Sequence, residues 1–215
     1  MSKSNKFGYV GVDLPSQSFG SNQGVFEPSE INELVANNKW TQYGQLEHII
    51  TSTASSSTID FVDLFNNHDT HLMVFTRLVP TTQTEFGLRV SKDSGSSYET
   101  SAYTFANQRM FANGTYEERK STSQGSLRLG GDVETSDCFN GYLYIYDAKN
   151  SLKMTMFTGI STYTGTSGGG GYGSSITTGV FTAQETVNAI RIGEQTTASA
   201  FTSGTVSLYG IKEYT

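Results

Sequence analysis

The chain has 215 residues and a net charge of −6, and only 35% of its residues are apolar although 12% are aromatic. No run of basic residues is present to contact phosphates, which argues against nucleic acid as the main partner. With Cys138 as the single cysteine, an internal disulfide is excluded, and no apolar run reaches the ~18 residues of a membrane helix. The first residues show no hydrophobic signal region, so we expect synthesis in a reducing cytoplasm without membrane insertion.

Residues 1–27 hold a few aromatic side chains scattered among Gly, Ser, Asn and Gln, with no sustained period. These aromatics are too few to form a core. They are also too apolar for a linker that is fully exposed to solvent. We therefore expect an extended arm that anchors on another protein surface, with a floppy terminus as the alternative. The expected anchoring residues are Phe7, Tyr9, Phe19 and Phe26.

Residues 27–38 predict one short helix, near 28–37. Pro28 or Ser29 can begin it, and apolar residues then recur with helical spacing on one face. A helix of about three turns is marginal by itself, so this face is predicted to pack on a neighbour and support self-association. The expected contact residues are Ile31, Leu34, Val35 and Trp40. We assign residues 1–38 to the arm and helix, and 39–215 to a second domain.

The stretch 58–98 predicts consecutive antiparallel strands around which the second domain is organised. Residues 86–90 alternate, with Phe86, Leu88 and Val90 on one side and a polar, wet face on the other. Residues 72–79 are apolar on both parities and predict an interior strand. Further strands are expected at 40–51, 59–64, 101–105, 126–129, 139–146, 153–159, 176–181, 187–192 and 204–211.

Two connecting stretches are predicted to be loops. Residues 117–120 are densely charged and read as a solvated loop, and 162–175 as a flexible glycine loop. Many short strands joined by polar turns predict an all-β fold, an antiparallel two-sheet jelly-roll-like β-sandwich preceded by the N-terminal arm and one short helix.

Several short patterns match catalytic or metal motifs, but their surroundings do not. Residues 165–169 satisfy G-x-S-x-G without the strand and helix that a nucleophile elbow requires. His68 and His71 lack further ligands at zinc spacing. The candidate acid pairs of a glycosidase are Asp60 with Asp63 and Glu117 with Glu118. Neither pair has an apolar neighbourhood that would raise one pKa, so we predict no enzymatic activity, no bound metal and no cofactor.

Five segments occur in an order that resembles a known module. They are STASSSTIDF (52–61), THLMVFTRLVP (70–80), LRVSKDSGSSY (88–98), the loop GGGGYGSS (168–175) with TTGVFTAQETVNAIRI (177–192), and SGTVSLYGI (203–211). In this order they resemble a β-module common among small virion structural proteins of tailed bacteriophages, especially marine ones. The opening FGYVGVDLPSQSFG is similar to the N-terminus of phage structural proteins. The resemblance implies a place in a particle and no particular reaction.

We therefore expect a non-enzymatic structural component of a bacteriophage virion, tail- or fibre-associated or on the outer surface, and anchored by its N-terminal arm. The expected partners are other virion proteins and copies of itself, with a trimer expected by analogy with phage appendages. Two alternatives stay open. One is a capsid decoration protein, and the other is a glycan-binding β-sandwich module whose partner is a host-surface glycan.

Overall fold

The computed structural model describes residues 28–36, 46–65, 67–165, 171–194 and 200–212. The chain falls into two compact units, Met1–Gln45 and Leu46–Thr215. In the first unit, the described residues form one helix, α1, over Pro28–Ala36, where the sequence predicts it. Proline is tolerated in the first turn because the N–H it lacks has no partner inside a helix.

In the second unit, the described residues form twelve strands whose pairings are all antiparallel. The strands are β1 Leu46–Thr53, β2 Thr58–Val62, β3 Thr70–Pro80, β4 Phe86–Ser91, β5 Tyr103–Phe111, β6 Tyr116–Gln124, β7 Leu127–Arg128, β8 Phe139–Tyr146, β9 Thr155–Gly165, β10 Gly171–Phe181, β11 Ala189–Glu194 and β12 Phe201–Ile211.

Four nested strand pairs alternate between two sheets. The larger sheet contains the pairs β1 with β12 and β3 with β8, and the smaller sheet contains β2 with β11 and β4 with β7. A long hairpin folded over on itself produces this nesting, which is the topology of a jelly roll. The predicted antiparallel two-sheet sandwich is therefore confirmed.

Two inserted hairpins widen the larger sheet beyond the jelly roll. The hairpin β9–β10 joins after β8, and β5–β6 joins after β10, which gives the order β1-β12-β3-β8-β9-β10-β5-β6. The smaller sheet keeps four strands in the order β2-β11-β4-β7. The larger sheet therefore has one side turned to the core and a broad second side, here called the outward side.

The core lies between the sheets, and the alternation of the strands explains which residues enter it. Phe86, Leu88 and Val90 of β4 are all buried, as their period predicts. Phe139 of β8 is fully buried, with its ring centroid 5.5 Å from that of Phe75 and 5.3 Å from that of Phe86. Such edge-to-face contacts are favourable beyond the buried area alone.

The polar side of β4 is drier than the sequence predicts. Gly87 and Ser91 are buried, so the expectation that this side of the strand is fully exposed to solvent is wrong at these two positions. Ser126 approaches the backbone at Gly87, while the Ser91 hydroxyl donates to Asp93 at 2.7 Å and accepts from the Gly95 N–H at 2.9 Å. Ser91 is thus buried because it holds the following turn.

Both predicted loops are largely strand. Residues 117–120 lie in β6, where Glu117 and Arg119 are half-buried while Glu118 and Lys120 are exposed. Within the predicted glycine loop, β9 continues to Gly165 and β10 begins at Gly171. The charges of β6 hid a period of two, since charged residues on both faces remove the apolar signal from which a strand is usually recognised.

Candidate functional site

Most of the predicted anchoring residues fall where the structure gives no description. Phe7, Tyr9, Phe19, Phe26 and Trp40 lie outside the described residues. On α1, Ile31 and Leu34 are half-buried, and Val35 is part of the helix with its side chain outside the described part. The arm and the helix face stay predictions.

The acid pair Asp60 and Asp63 is engaged in structural contacts. Both Asp60 oxygens accept hydrogen bonds from Arg191 at 2.7 Å, and this guanidinium lies 3.9 Å from the ring centroid of Tyr98. Asp63 accepts a hydrogen bond from the Ser94 hydroxyl at 2.7 Å. Because Asp60 is held by a bidentate arginine, it lacks the apolar surroundings of a general acid.

The second acid pair is split between the two sides of the larger sheet. Glu117 points toward the core side and accepts a hydrogen bond from Arg109 at 2.9 Å. Glu118 points outward, where it pairs with Lys120 at 2.9 Å. Neighbouring residues of a strand face opposite sides, so these two carboxylates cannot flank one bond of a substrate.

Arg109 is the centre of a buried charge cluster. Its guanidinium is almost fully buried, donates from Nε to the Tyr163 hydroxyl at 2.9 Å, and lies 5.0 Å from the ring centroid of Phe111. Next to it, Glu85 forms ion pairs with Arg119 and Arg128. The cluster fills the space beneath the widened part of the sheet, and its charges compensate one another.

The histidine-rich stretch that leads into β3 contains one fully buried ring, that of His71 in the strand itself. The ring centroids of His68 and His71 are 5.7 Å apart, and neither ring nitrogen of His71 makes a hydrogen bond of normal geometry. Burial, reinforced by the neighbouring His68 and Lys149, lowers the pKa of His71 to about 4. Within the described residues, no group of three or more His, Cys, Asp or Glu side chains is placed to hold a metal ion.

The outward side of the larger sheet carries three rows of side chains without a single charge across six adjacent strands. The register aligns one residue from each strand, β12, β3, β8, β9, β10 and β5, in every row. The rows are Ser207-Val74-Tyr142-Ile160-Ile176-Gln108, Tyr209-Leu72-Tyr144-Thr158-Thr178-Ala106 and Ile211-Thr70-Tyr146-Met156-Val180-Thr104. All of them are half-buried or exposed.

Tyrosines and large aliphatic side chains concentrate in the middle of this side. Tyr142 contacts Tyr144 edge to face at 5.8 Å between centroids, and Tyr144 stacks with Tyr146 at 6.1 Å. On β9, Met156 and Ile160 are 53% and 40% exposed, although both are apolar. We call this area the tyrosine face; it consists of Leu72, Val74, Tyr142, Tyr144, Tyr146, Met156 and Ile160.

No protein-family model and no curated protein matches this chain. The candidate site therefore rests on geometry and composition. Within the described residues, no helix combines the length and the apolar character needed to span a bilayer.

A groove lies beside the tyrosine face, over β10, β5 and β6. Its volume is ≈ 560 Å³. The side chains turned toward it are Ala106, Gln108, Tyr116, Glu118, Ile176 and Thr178. This volume lies within the roughly 300–1,000 Å³ typical of sites for small ligands.

Sequence reasoning did not identify either surface. The alternation of Tyr142, Tyr144 and Tyr146 is visible in the sequence, but the residues between them are also apolar. Either parity could have faced the core, and only the pairing with β3 and β9 decides it.

Proposed function

We propose that this protein is a non-enzymatic structural component of a bacteriophage virion, tail- or fibre-associated or on the outer surface, that is anchored by its N-terminal segment. The resemblance of its strand segments to phage structural modules supports this proposal, and the jelly roll is compatible with it. The observation that carries it is the tyrosine face, which serves as the contact with other virion proteins or with copies of the chain. A trimer is the expected assembly, by analogy.

The composition of the tyrosine face matches that of a protein interface. The centres of such interfaces are depleted in charge and enriched in Tyr and Met, as here. Strand and row spacings give the seven residues of the tyrosine face roughly 230 Å², enough for the central part of the roughly 800 Å² that one partner contributes to a standard interface. A contiguous group of exposed aromatic and aliphatic side chains on a soluble protein is typical of a contact surface.

The arrangement of the carboxylates favours assembly over catalysis. Asp60 and Glu117 are held by arginines, and Glu118 pairs with a lysine on the opposite side of the sheet from Glu117. A glycosidase needs two carboxyl groups on either side of one bond, and the described pairs do not supply that geometry. The proposed role accordingly requires binding alone.

A charge placed on the tyrosine face should block assembly. We expect Met156→Lys to reduce the amount of protein incorporated into particles at least about tenfold, because docking would bury an unpaired charge. The side chain is 53% exposed in the isolated chain, so stability should change by no more than about 0.5 kcal/mol. Mass spectrometry of particles purified from infected cells that express a tagged copy measures incorporation.

Leu152→Lys is the matched control, since Leu152 is also apolar and 78% exposed but lies in the connection between β8 and β9, outside the seven residues of the face. This variant should incorporate like the unmodified chain. Normal incorporation of Met156→Lys would remove the tyrosine face from the assembly contact.

Removal of residues 1–27 should separate attachment from folding. We expect the truncated chain to keep nearly the same melting temperature, because the described core lies wholly within strands of the second unit and their connections. Incorporation into particles should be lost, since ordering an extended arm on a partner is the proposed attachment step. Differential scanning calorimetry and the same particle measurement give the two readouts.

Replacement of residues 1–27 by a Gly-Ser segment of equal length controls for the loss of a spacer. It should fail to incorporate as the deletion does. If the deletion incorporates normally, attachment must reside in the rest of the chain.

A further inference from the structure

We propose that the groove over β10, β5 and β6 is a binding site for a neutral oligosaccharide built of hexoses. This inference goes beyond the structural role and does not depend on it. It rests on the shape of the groove, on one exposed aromatic ring, and on uncharged hydrogen-bonding groups that face the same space.

The groove exists because a small side chain lies in a row of larger ones. Ala106 lies on β5 between Thr178 of β10 and Lys120 of β6. Because its side chain is only a methyl group, the middle of this row projects less from the sheet than its two ends. Ile176 of β10 lies in the next outward row, beside Gln108, and Tyr116 lies one row further on, beside Met110 and on the other side of β5. The result is an open trough on a rigid sheet, which needs no rearrangement to admit a ligand.

The apolar walls of the groove suit the face of a sugar ring. Tyr116 is 66% exposed and Ile176 37% exposed, so both present apolar surface to solvent. One face of many hexoses is lined by C–H groups, which stack on the negative face of an aromatic ring. Tyrosine also offers a hydroxyl at its edge that can bond to a sugar hydroxyl.

The polar groups suit sugar hydroxyls. Gln108 is exposed on the β5 row, where its amide can donate to one hydroxyl and accept from the next. Glu118 lies directly opposite Gln108 on β6 and accepts only. Thr178 donates its hydroxyl to the Ala106 carbonyl at 2.7 Å, which leaves its oxygen free to accept from a ligand.

The same groups disfavour charged ligands. None of the described residues that line the groove is cationic, and the neighbouring Lys120 is already paired with Glu118. A phosphate or an acidic sugar would therefore find no unpaired cation among the described groove residues. An extended peptide adds to the open backbone of an edge strand, which here is β6, whereas the floor of the groove on β5 is paired on both sides.

Isothermal titration calorimetry on the full chain tests the site with four probes. These are neutral hexasaccharides of glucan, mannan and galactan, and a sulfated galactan hexasaccharide. We expect at least one neutral probe to bind with a dissociation constant below about 1 mM, and the sulfated probe to bind at least about tenfold more weakly. Tyr116→Ala and Gln108→Ala should each weaken the neutral probe at least about fivefold.

Met156→Lys is the matched control, because it alters the tyrosine face and leaves the groove intact. It should bind the neutral probe normally, so loss of assembly and loss of sugar binding are separable. Amide NMR of the unmodified chain provides a second readout that needs no variant. Its shifts should cluster around Ala106 and Thr178 and not around Tyr144.

Three results would overturn the proposal. They are no binding of any neutral probe up to about 10 mM, unchanged binding in both groove variants, or amide shifts that cluster away from β10, β5 and β6.

Discussion

Replacing Arg109 with alanine should destabilise the jelly roll by about 3–4 kcal/mol, the largest loss expected from one substitution here. The side chain is only 1% exposed and fills the space between Phe111 and Tyr163. Its removal leaves a cavity and takes a donor from both the Tyr163 hydroxyl and Glu117. The Glu117 side chain is 31% exposed and can still reach Arg119, so the electrostatic part of the loss is smaller than for a fully buried pair.

Urea unfolding measures this loss, and a second variant separates packing from charge. Arg109→Met keeps most of the volume and removes the charge, so we expect it to lose about half as much or less. Lys120→Ala removes an exposed ion pair and should leave stability nearly unchanged. If Arg109→Ala behaves like Lys120→Ala, the cluster does not hold the widened sheet in place.

The packing of Arg109 against Gly131 is a constraint that the local sequence does not reveal. A Cβ atom on Gly131 would overlap the Arg109 guanidinium, so the chain passes over the cluster at a residue with no side chain. The two residues are far apart along the sequence and belong to different segments. No local pattern links them, and their contact exists only because β5 joins the larger sheet beyond β10.

Period-two alternation was sufficient to predict the fold class. It placed most strands correctly, because a strand with one buried side must alternate, as the residue types of β4 and the burial of β12 from Val206 onward do. The pairing partners were not predictable in this way. Thr51 of β1 bonds to Ser207 of β12, 156 positions later, and local propensity cannot specify a contact at that separation.

The candidate surfaces were not predictable for a related reason. Ala106 reads as an ordinary strand residue, and it becomes the floor of a groove only between its neighbours on β6 and β10. Tyr116 directly precedes residues 117–120, which we predicted to be a loop, and lies outside every predicted strand. The residue types of both surfaces are therefore visible in the sequence, but only the long-range pairing of the strands brings them together.

Acidification should destabilise the protein through His71, by about 3 kcal/mol between pH 7 and pH 4. The ring is buried against Phe65 at 5.0 Å between centroids, and burial lowers its pKa from 6.5 to about 4. Nearby His68 and Lys149 also oppose a charge there, whereas Asp69 and a backbone contact with Leu64 favour it less strongly. The folded protein therefore keeps this ring neutral where the unfolded chain protonates it.

The direction of the effect follows from proton uptake. Between pH 6.5 and 4 the unfolded state binds more protons at this site than the folded state, so stability falls as pH falls through this window. Asp93 affects stability only below this pH window. Hydrogen bonds from Ser97 lower its pKa to about 2, so its contribution to stability is lost only as pH falls from 3.8 toward that value. Measurements kept at pH 4 and above therefore isolate His71 from Asp93.

Comparison with His71→Leu removes the titration of other groups from the measurement. We expect the variant to gain about 3 kcal/mol relative to the unmodified protein as pH falls from 7 to 4, whatever its stability at pH 7. His48→Gln is the control, because His48 is exposed on β1 and bonds only to the Thr51 hydroxyl among the described contacts. Urea unfolding at several pH values gives the difference directly. A constant difference between His71→Leu and the unmodified protein across this range would mean that His71 is protonated as easily in the folded chain as in the unfolded one, and its neutral burial would then be wrong.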